Sequence, residues 1–384
     1  MGPKPSICII AHFAYGAMTG GSSGHVGGVE RQTSITARWL AQRGYPVTMI
    51  TWDNGQDNDI HVDGVRMLKM CRQDAGIPGL RFFVPRWSSL VNALQKADAD
   101  LYYHNCAEYV TGQVAMWCRR NHKVFVFSTA SNMDCEPSLP EMKAWRVRAL
   151  YRYGLKHADT LIAQTEYQKN LLRTGFGLDS IVLPMPCPGP SEGEYLPPDP
   201  PDPSRAIVVW IGRIIDIKRL EWFLDVAEAL PDLTFKIVGG ASADSEYVRN
   251  LMKRAESLTN VVHCGLIPRE QMPEVYKHAS LLCCTSKIEG LPNTFLEAWS
   301  HGLPVVSTFD PDGWIQSRRL GITATDVNGL VNGIRKLINS PHEWRRASDN
   351  GRRHYVENHT PEVVLERFEK AFLDTARRKF TSRA

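Results

Sequence analysis

The sequence predicts an α/β protein of two domains, each built on a parallel sheet. Three observations carry this expectation. Short apolar, strand-like runs alternate with amphipathic helical patterns in two series, a proline-rich stretch separates the series, and 384 residues exceed what one hydrophobic core supports. The 43% hydrophobic and 22% charged composition is that of an ordinary globular protein.

The first series opens with a strand at Ile7 to Ala11, a helix from about Glu30 to Arg43 and a strand at Pro46 to Thr51, which is a βαβ rhythm. It continues with strand Leu101 to His104, helix Thr111 to Arg120, strand Val124 to Ser128 and a helix from about Glu141 to Lys156. Strand Thr160 to Gln164, helix Glu166 to Arg173 and strand Ile181 to Leu183 complete it. From Pro184 to Ser204 nine prolines, two glycines and four acidic residues resist both helix and sheet, so residues 185–204 read as an interdomain linker.

The second series, residues 205–360, repeats the rhythm: strand Ala206 to Ile211, helix Leu220 to Ala229, strand Thr234 to Val238, helix Glu246 to Ala255, strand Val261 to Cys264, helix Glu270 to His278 and strand Leu281 to Thr285. A helix from Thr294 to His301, strand Pro304 to Ser307 and helices Asn328 to Asn339 and His342 to Asn358 follow. Pro361 opens a last amphipathic helix to about Lys379, within a segment 361–384. Residues 1–184 and 205–360 form similar halves, which predicts a ligand cleft between them, outside the strand ends.

A formal net charge of +4 is too mild for nucleic acid as a partner. Nine scattered cysteines without a Cys-x-x-Cys pair suit reduced thiols in a cytosol. No apolar run reaches the roughly 18 to 20 residues of a membrane span, and Met1 to Ser6 lead directly into a strand, so neither a span nor a signal peptide is expected. One stretch, with Lys143, Arg146, Arg148, Arg152 and Lys156 around Trp145, Leu150 and Tyr153, suits either an anionic membrane surface or a solvated helix face.

Three clusters carry the chemistry. Between a buried strand and a helix lies Glu289-Gly290-Leu291-Pro292-Asn293-Thr294-Phe295-Leu296-Glu297. Backbone N–H groups of Asn293 and Thr294 at the helix start favour an anion, while Glu289 and Glu297 can accept hydrogen bonds from hydroxyls. A ligand with sugar, diphosphate and ribose in sequence, a nucleotide sugar, has that layout. In Gly212-Arg213-Ile214-Ile215-Asp216-Ile217-Lys218 a glycine turn follows the first strand of the second half and offers two cations to a diphosphate without a metal. The glycine-rich stretch from Gly20 to Arg31, including Gly27 and Gly28, precedes the first long helix and allows close backbone approach to a phosphate or sugar. It lacks the Gly-x-Gly-x-x-Gly turn of dinucleotide binders.

Four motifs in order, Gly27-Gly28-Val29-Glu30, Ala158 to Thr165, Gly212-Arg213 with Lys218, and Glu289 with Glu297 followed by Gly302-Leu-Pro-Val-Val306, make the chain resemble the retaining glycosyltransferases of family 4. The resemblance covers nearly the whole chain. It implies the GT-B architecture: two Rossmann-like domains facing a central cleft, an acceptor side in 1–184, a nucleotide-sugar side in 205–360, and a C-terminal helix packing back on the N-terminal domain. It implies that Glu297 holds the donor ribose, Glu289 the hydroxyls of the transferred sugar, Arg213 and Lys218 the diphosphate, and Asn293 and Thr294, beside Gly290 and Leu291, its phosphate oxygens. Leu266 falls where the main chain contacts the base, and Gly27 and Gly28 where a loop closes over the donor.

The sequence departs from that family at two places. Val124-Phe-Val-Phe-Ser128 continues as Thr129-Ala-Ser131-Asn132-Met-Asp134 without the histidine usual there, so Ser131, Asn132 or Asp134 would substitute. Pro184-Met-Pro-Cys-Pro188 stands where Pro-Asn-Gly is usual. Asp98-x-Asp100 and Asp310-x-Asp312 have metal-binding spacing, but Asp98 and Asp100 precede a strand and the basic pair makes a metal redundant, so no metal or other cofactor is expected. His104 and Glu108 are candidates to reach a reacting sugar. The expected activity is retaining hexosyl transfer from a UDP- or GDP-sugar to a glycan, lipid-linked or small-molecule acceptor in polysaccharide or glycoconjugate synthesis, in the cytosol or at the inner face of the membrane. A nucleotide-sugar epimerase or phosphorylase, or an inactive nucleotide-sugar-binding protein, are the alternatives.

Overall fold

The structure, a computed structural model, describes residues 4–20, 27–241 and 244–381. The chain divides into two compact units, one formed by Met1–Pro186 with Pro361–Ala384 and the other by Cys187–Thr360.

The first unit runs β1 (Ile7–Ile10), α1 (Tyr15–Thr19), α2 (Gly28–Gln42), β2 (Val47–Thr51), β3 (Ile60–Val62), β4 (Val65–Lys69), α3 (Ser88–Ala97), β5 (Leu101–Asn105), α4 (Tyr109–Arg120), β6 (Val124–Ser128), α5 (Trp145–His157), β7 (Thr160–Ala163), α6 (Glu166–Phe176) and β8 (Ile181–Val182). Its sheet has the order β3-β4-β2-β1-β5-β6-β7-β8, parallel throughout except where β3 pairs antiparallel with β4. Because a parallel sheet is covered on both faces, β1, β5 and β6 are buried along their whole length. Alternation then sorts their residues: Cys8, Ile10, Tyr102, Phe125 and Phe127 enter one core, and Ile7, Ile9, Tyr103, Val124 and Val126 the other.

No element was expected between Thr51 and Leu101, yet β3, β4 and α3 lie there, and in α3 Leu90, Ala93 and Leu94 recur at helical spacing. The hairpin signal is Asp63-Gly64, whose left-handed φ values of 49° and 79° match the two central positions of a type I′ turn. The basic helix begins at Trp145 rather than about Glu141, after Ala144 in an extended conformation. Two of its cations serve the local fold: Arg148 donates to the Met142 carbonyl at 2.6 Å and Arg152 to that of Pro137 at 2.8 Å.

The second unit runs β9 (Ile207–Ile211), α7 (Leu220–Ala229), β10 (Thr234–Val238), α8 (Glu246–Ser257), β11 (Val261–Gly265), α9 (Met272–His278), β12 (Leu281–Cys284), α10 (Asn293–Ser300), β13 (Val305–Ser307), α11 (Trp314–Ser317), β14 (Gly321–Thr323), α12 (Val327–Asn339) and α13 (Pro341–Asn358). Its parallel sheet has the order β11-β10-β9-β12-β13-β14, with β9 and β12 at its centre. Ser245, Asp326 and Ser340 cap α8, α12 and α13 by accepting N–H bonds from Val248, Gly329 and Glu343.

The proline-rich stretch read as a linker is packed against this second unit from Cys187 onward. The Cys187 carbonyl accepts from the Tyr355 hydroxyl at 2.8 Å, and Arg352 donates to Pro190 and Arg345 to Pro198. Proline supplies no backbone donor, so side chains of α13 satisfy these carbonyls instead.

The last helix, α14 (Pro361–Thr381), returns to the first unit. Val364, Phe368, Phe372 and Ala376 enter the core beneath β1, β5 and β6, with Phe372 5.2 Å from the Tyr103 ring. Lys379 donates to Asp159 at 2.6 Å, and Asp159 also accepts from the Phe125 amide at 2.8 Å, so one carboxylate fixes both the start of β6 and the last turn of α14.

Candidate functional site

In the second unit, the residues expected to hold a diphosphate sit beyond the C-terminal ends of β9 and β12. Gly239, after β10, has φ 139°, and a Cβ there would lie 1.8 Å from the Gly212 carbonyl oxygen, so only glycine lets these two strand ends approach so closely. The Gly212 amide donates to Val238 and the Ile214 amide to Gly240, which aims the following loop along the sheet edge. Arg213 stands exposed on that loop.

The loop is stitched to the end of β12. The Lys287 amide donates to the Ile217 carbonyl at 2.8 Å, and the Thr285 hydroxyl to that of Lys218 at 2.7 Å. Arg219, in the left-handed region at φ 47°, donates to the Thr285 carbonyl at 2.7 Å and to the Thr308 hydroxyl at 2.9 Å. Its guanidinium also lies 3.8 Å from the centre of the Trp222 ring. The result is an ion pair between Lys218 and Glu289, residues that stand far apart in sequence, both largely buried.

From Glu289 the chain passes through buried Gly290 and Leu291 to Pro292, whose extended conformation precedes the first turn of α10 at Asn293 and Thr294. Glu297, one helical turn further on, is 4% exposed. The Tyr276 hydroxyl donates to one of its oxygens at 2.6 Å, and half-exposed Arg269 pairs with the other. Burial first, then the charge of Glu297, hold the Tyr276 phenol far above its ordinary range, so it acts as a donor. Leu266 is 83% exposed in the turn after β11, beside Gly240. Sequence reasoning missed Arg219, Arg269 and Tyr276. Arg219 adjoins Lys218 and was legible as a basic pair, whereas Arg269 and Tyr276 carry no local signal and meet Glu297 only through the fold.

In the first unit, Gly27 adopts an extended conformation before α2 and Gly28 begins that helix, while residues 21–26 of the glycine-rich stretch lie outside the described residues. Ser131 and Asn132 serve the local fold: the Ser131 hydroxyl accepts from the Met133 amide at 3.2 Å, and Asn132 accepts from Gln168 at 3.2 Å. Asp134 accepts from the amides of Ala130 and Ser131 at 2.7 and 3.0 Å, yet burial outweighs those bonds and its carboxyl is pushed up to about 6.

Asp134 lines a pocket of about 430 Å³, with Trp52, Arg86, Glu108, Tyr109 and Lys143 around it. His104 lies just outside this lining, fully buried, with Nδ1 3.0 Å from the Ile10 carbonyl. Burial pushes its imidazole down to about 4. Burial opposes ionisation of Glu108, but His12, 3.6 Å away, outweighs that and holds its carboxyl below the usual range. Around the pocket, Nε2 of His12 and His104, the Asn105 amide, Trp52 Nε1 and Arg86 Nε are buried with no hydrogen-bond partner among the described residues. Unmatched buried polar atoms at this density mark a place for a polar ligand or ordered water.

The two Asp-x-Asp stretches are used structurally. Asp98 ends α3 at φ 37° and pairs with Lys123, Asp100 accepts from Ser6, and Asp310 accepts from the amides of Ile315 and Gln316. Among the described residues no three His, Cys, Asp or Glu are grouped so as to hold a metal ion. No helix among them is long and apolar enough to cross a membrane.

Residues 27–186 match the glycosyl transferase 4-like domain and residues 205–340 the glycosyl transferases group 1. An uncharacterized glycosyltransferase of Haemophilus influenzae is 26% identical over 54% of this chain and 59% of its own length. A D-inositol 3-phosphate glycosyltransferase of a Mycobacterium species is 28% identical over 45% of this chain and 42% of its own. The chain thus spans about half the length of the curated relatives it matches. Among solved structures, sucrose-phosphate synthase from Thermosynechococcus elongatus superposes with a TM-score of 0.76 at 19% identity, covering 99% of this chain and 100% of that one. The Anabaena HepE protein, solved with UDP-glucose, gives 0.74 at 16% identity, covering 96% and 100%. These two likenesses speak for the fold, which is the GT-B architecture. Both sheets and both domain matches lead to one assignment: the chain belongs to the group 1, family 4 glycosyltransferases.

Proposed function

We propose that this protein transfers a hexosyl unit from a UDP- or GDP-sugar to a hydroxyl acceptor with retention of configuration and without a metal, in polysaccharide or glycoconjugate synthesis. The observation that carries the reading is the Lys218–Glu289 pair, held between the ends of β9 and β12 and followed directly by the start of α10. Lys218, exposed Arg213 and the first-turn N–H groups of α10 supply positive charge where a diphosphate would lie. Glu289 then meets hydroxyls of the transferred sugar and Glu297 those of the ribose, with Arg269 giving way.

In the reaction the acceptor oxygen bonds to the anomeric carbon as the bond from that carbon to the diphosphate oxygen breaks, and the hydroxyl proton leaves on the diphosphate. Charge grows on the diphosphate as the bond opens, so fixed cations stabilise the transition state beyond the ground state. The reading includes a cytosolic setting, with the basic α5 against an anionic membrane surface.

The test is a thermal-shift panel of UDP, GDP and their sugars, followed by slow donor hydrolysis with and without EDTA. A ligand at 100 times its dissociation constant adds about 2.7 kcal/mol of stability. Stabilisation by one nucleotide series, with sugar release that survives EDTA and falls in Arg213→Ala, is expected. No stabilisation by any of them would overturn the reading, and binding without sugar release would point to an inactive nucleotide-sugar-binding protein.

A further inference from the structure

The first unit carries an apolar surface that donor binding does not use. Between β4 and α3 the chain exposes Ile77, Leu80, Phe83 and Val84 at 69, 64, 58 and 66%, and Trp145, opening α5, is 79% exposed. The Arg146 guanidinium lies 5.6 Å from the Phe82 ring centre, so the head of α5 stands beside that segment. Large apolar side chains clustered and exposed in this way mark an interaction surface.

Each apolar stretch is continued, two residues away, by a cation that lines the 430 Å³ pocket: Val84 by Arg86, and Trp145 by Lys143. Arg86 Nε and Trp52 Nε1 are buried there without partners among the described residues. The wall also holds the carboxylates of Glu108, Asp134 and Glu141 and the rings of Trp52 and Tyr109, groups that suit the hydroxyls and faces of a saccharide. A soluble phosphorylated sugar would leave the apolar residues without purpose, and an anionic bilayer alone would leave the pocket cations without one.

Resting on the glycosyltransferase reading, we infer that the acceptor is a saccharide carried on a phosphate-linked lipid. The saccharide enters the pocket between Glu108 and Asp134, the phosphate lies between Arg86 and Lys143, and the lipid runs against Ile77, Leu80, Phe83, Val84 and Trp145.

The full chain is sedimented with three kinds of vesicle: phosphatidylcholine alone, phosphatidylcholine with a polyprenyl diphosphate, and phosphatidylcholine with phosphatidylglycerol at matched surface charge. The polyprenyl diphosphate vesicles should bind about thirtyfold more tightly than the phosphatidylglycerol ones, as two extra cation contacts imply. Arg86→Gln with Lys143→Gln should abolish that preference, and Leu80→Ser with Phe83→Ser and Trp145→Ser should weaken binding to every vesicle. In both variants stabilisation by the donor nucleotide should persist and amides of β1, β5 and β6 should keep wild-type protection from hydrogen exchange, which shows that both units are folded. Equal binding to the two anionic vesicles would overturn the inference in favour of a bare membrane patch. Absence of vesicle binding, with stabilisation by inorganic pyrophosphate that is lost in Arg86→Gln with Lys143→Gln, would overturn it in favour of a soluble acceptor. Loss of donor stabilisation in the wild type would instead sink the glycosyltransferase reading itself.

Discussion

At the scale of single residues, Glu297 has two roles that substitution can separate. Its oxygens satisfy buried Tyr276 and half-exposed Arg269, so Glu297→Ala would strand a phenol as well as remove a donor contact. Glu297→Gln keeps an acceptor for Tyr276 and loses the charge together with the pair to Arg269. Its thermal midpoint should stay close to wild type while calorimetric donor affinity falls about tenfold, since bonds to a charged acceptor are roughly twice as strong. Asp134 and His104 make a second residue-scale prediction. Asp134, raised to about 6 from 3.8, favours the folded state when protonated, so its contribution is lost as pH rises through 6. His104, lowered to about 4 from 6.5, favours the folded state when neutral, so its contribution is lost as pH falls from 6.5 through 4. Between pH 4 and 6 the two run in opposite directions and largely offset. Asp134→Asn removes only the contribution that falls with pH, so from pH 4 to 6.5 its stability, read from denaturation midpoints, should gain about 2 to 3 kcal/mol relative to wild type.

At the scale of elements, α4 and α5 cross at a pair of glycines. A Cβ on Gly112 would lie 2.1 Å from the Leu150 carbonyl oxygen, and one on Gly154 would lie 2.7 Å from the Thr111 carbonyl carbon. Both obstacles are backbone and cannot swing aside, so Gly112→Ala must push the helices apart. A loss of about 1 to 3 kcal/mol is expected, read as a lower urea midpoint at unchanged slope. The displaced helix carries Trp145 and Val147, so acceptor KM should rise with it while donor affinity holds. The same elements show what local pattern conveys. The limits of α4, α7 and β6 follow from apolar periodicity and were read within two residues of their observed ends. The β3–β4 hairpin was readable at Asp63-Gly64, but its strands are three and five residues long and only partly apolar.

At the scale of the whole molecule, the unit containing the first residues is completed by the last helix. Phe372 is 1% exposed in the core beneath β5 and β6. Phe372→Ala should cost about 3 to 5 kcal/mol in that unit alone. Hydrogen exchange checks this: amides of β1, β5 and β6 should lose protection while those of β9 and β12 keep it, and equal loss in both sheets would refute independent cores.

By itself the sequence determined the two α/β series, the strand-to-helix junctions that carry Arg213, Lys218, Glu289 and Glu297, and the family to which those junctions belong. Hydrophobic period, glycine turns and helix starts are written in runs of a few residues, so they survive without knowledge of the fold. Tertiary structure alone decided which of these side chains meet: Lys218 with Glu289, and Glu297 with Arg269 and Tyr276. It also decided that Asn132 is spent on Gln168, that the proline-rich stretch packs along α13, and that Arg86, Lys143, Glu108 and Asp134 share one pocket. Parallel sheets join strands far apart in the chain, so the partners brought together at their ends leave no trace in local spacing.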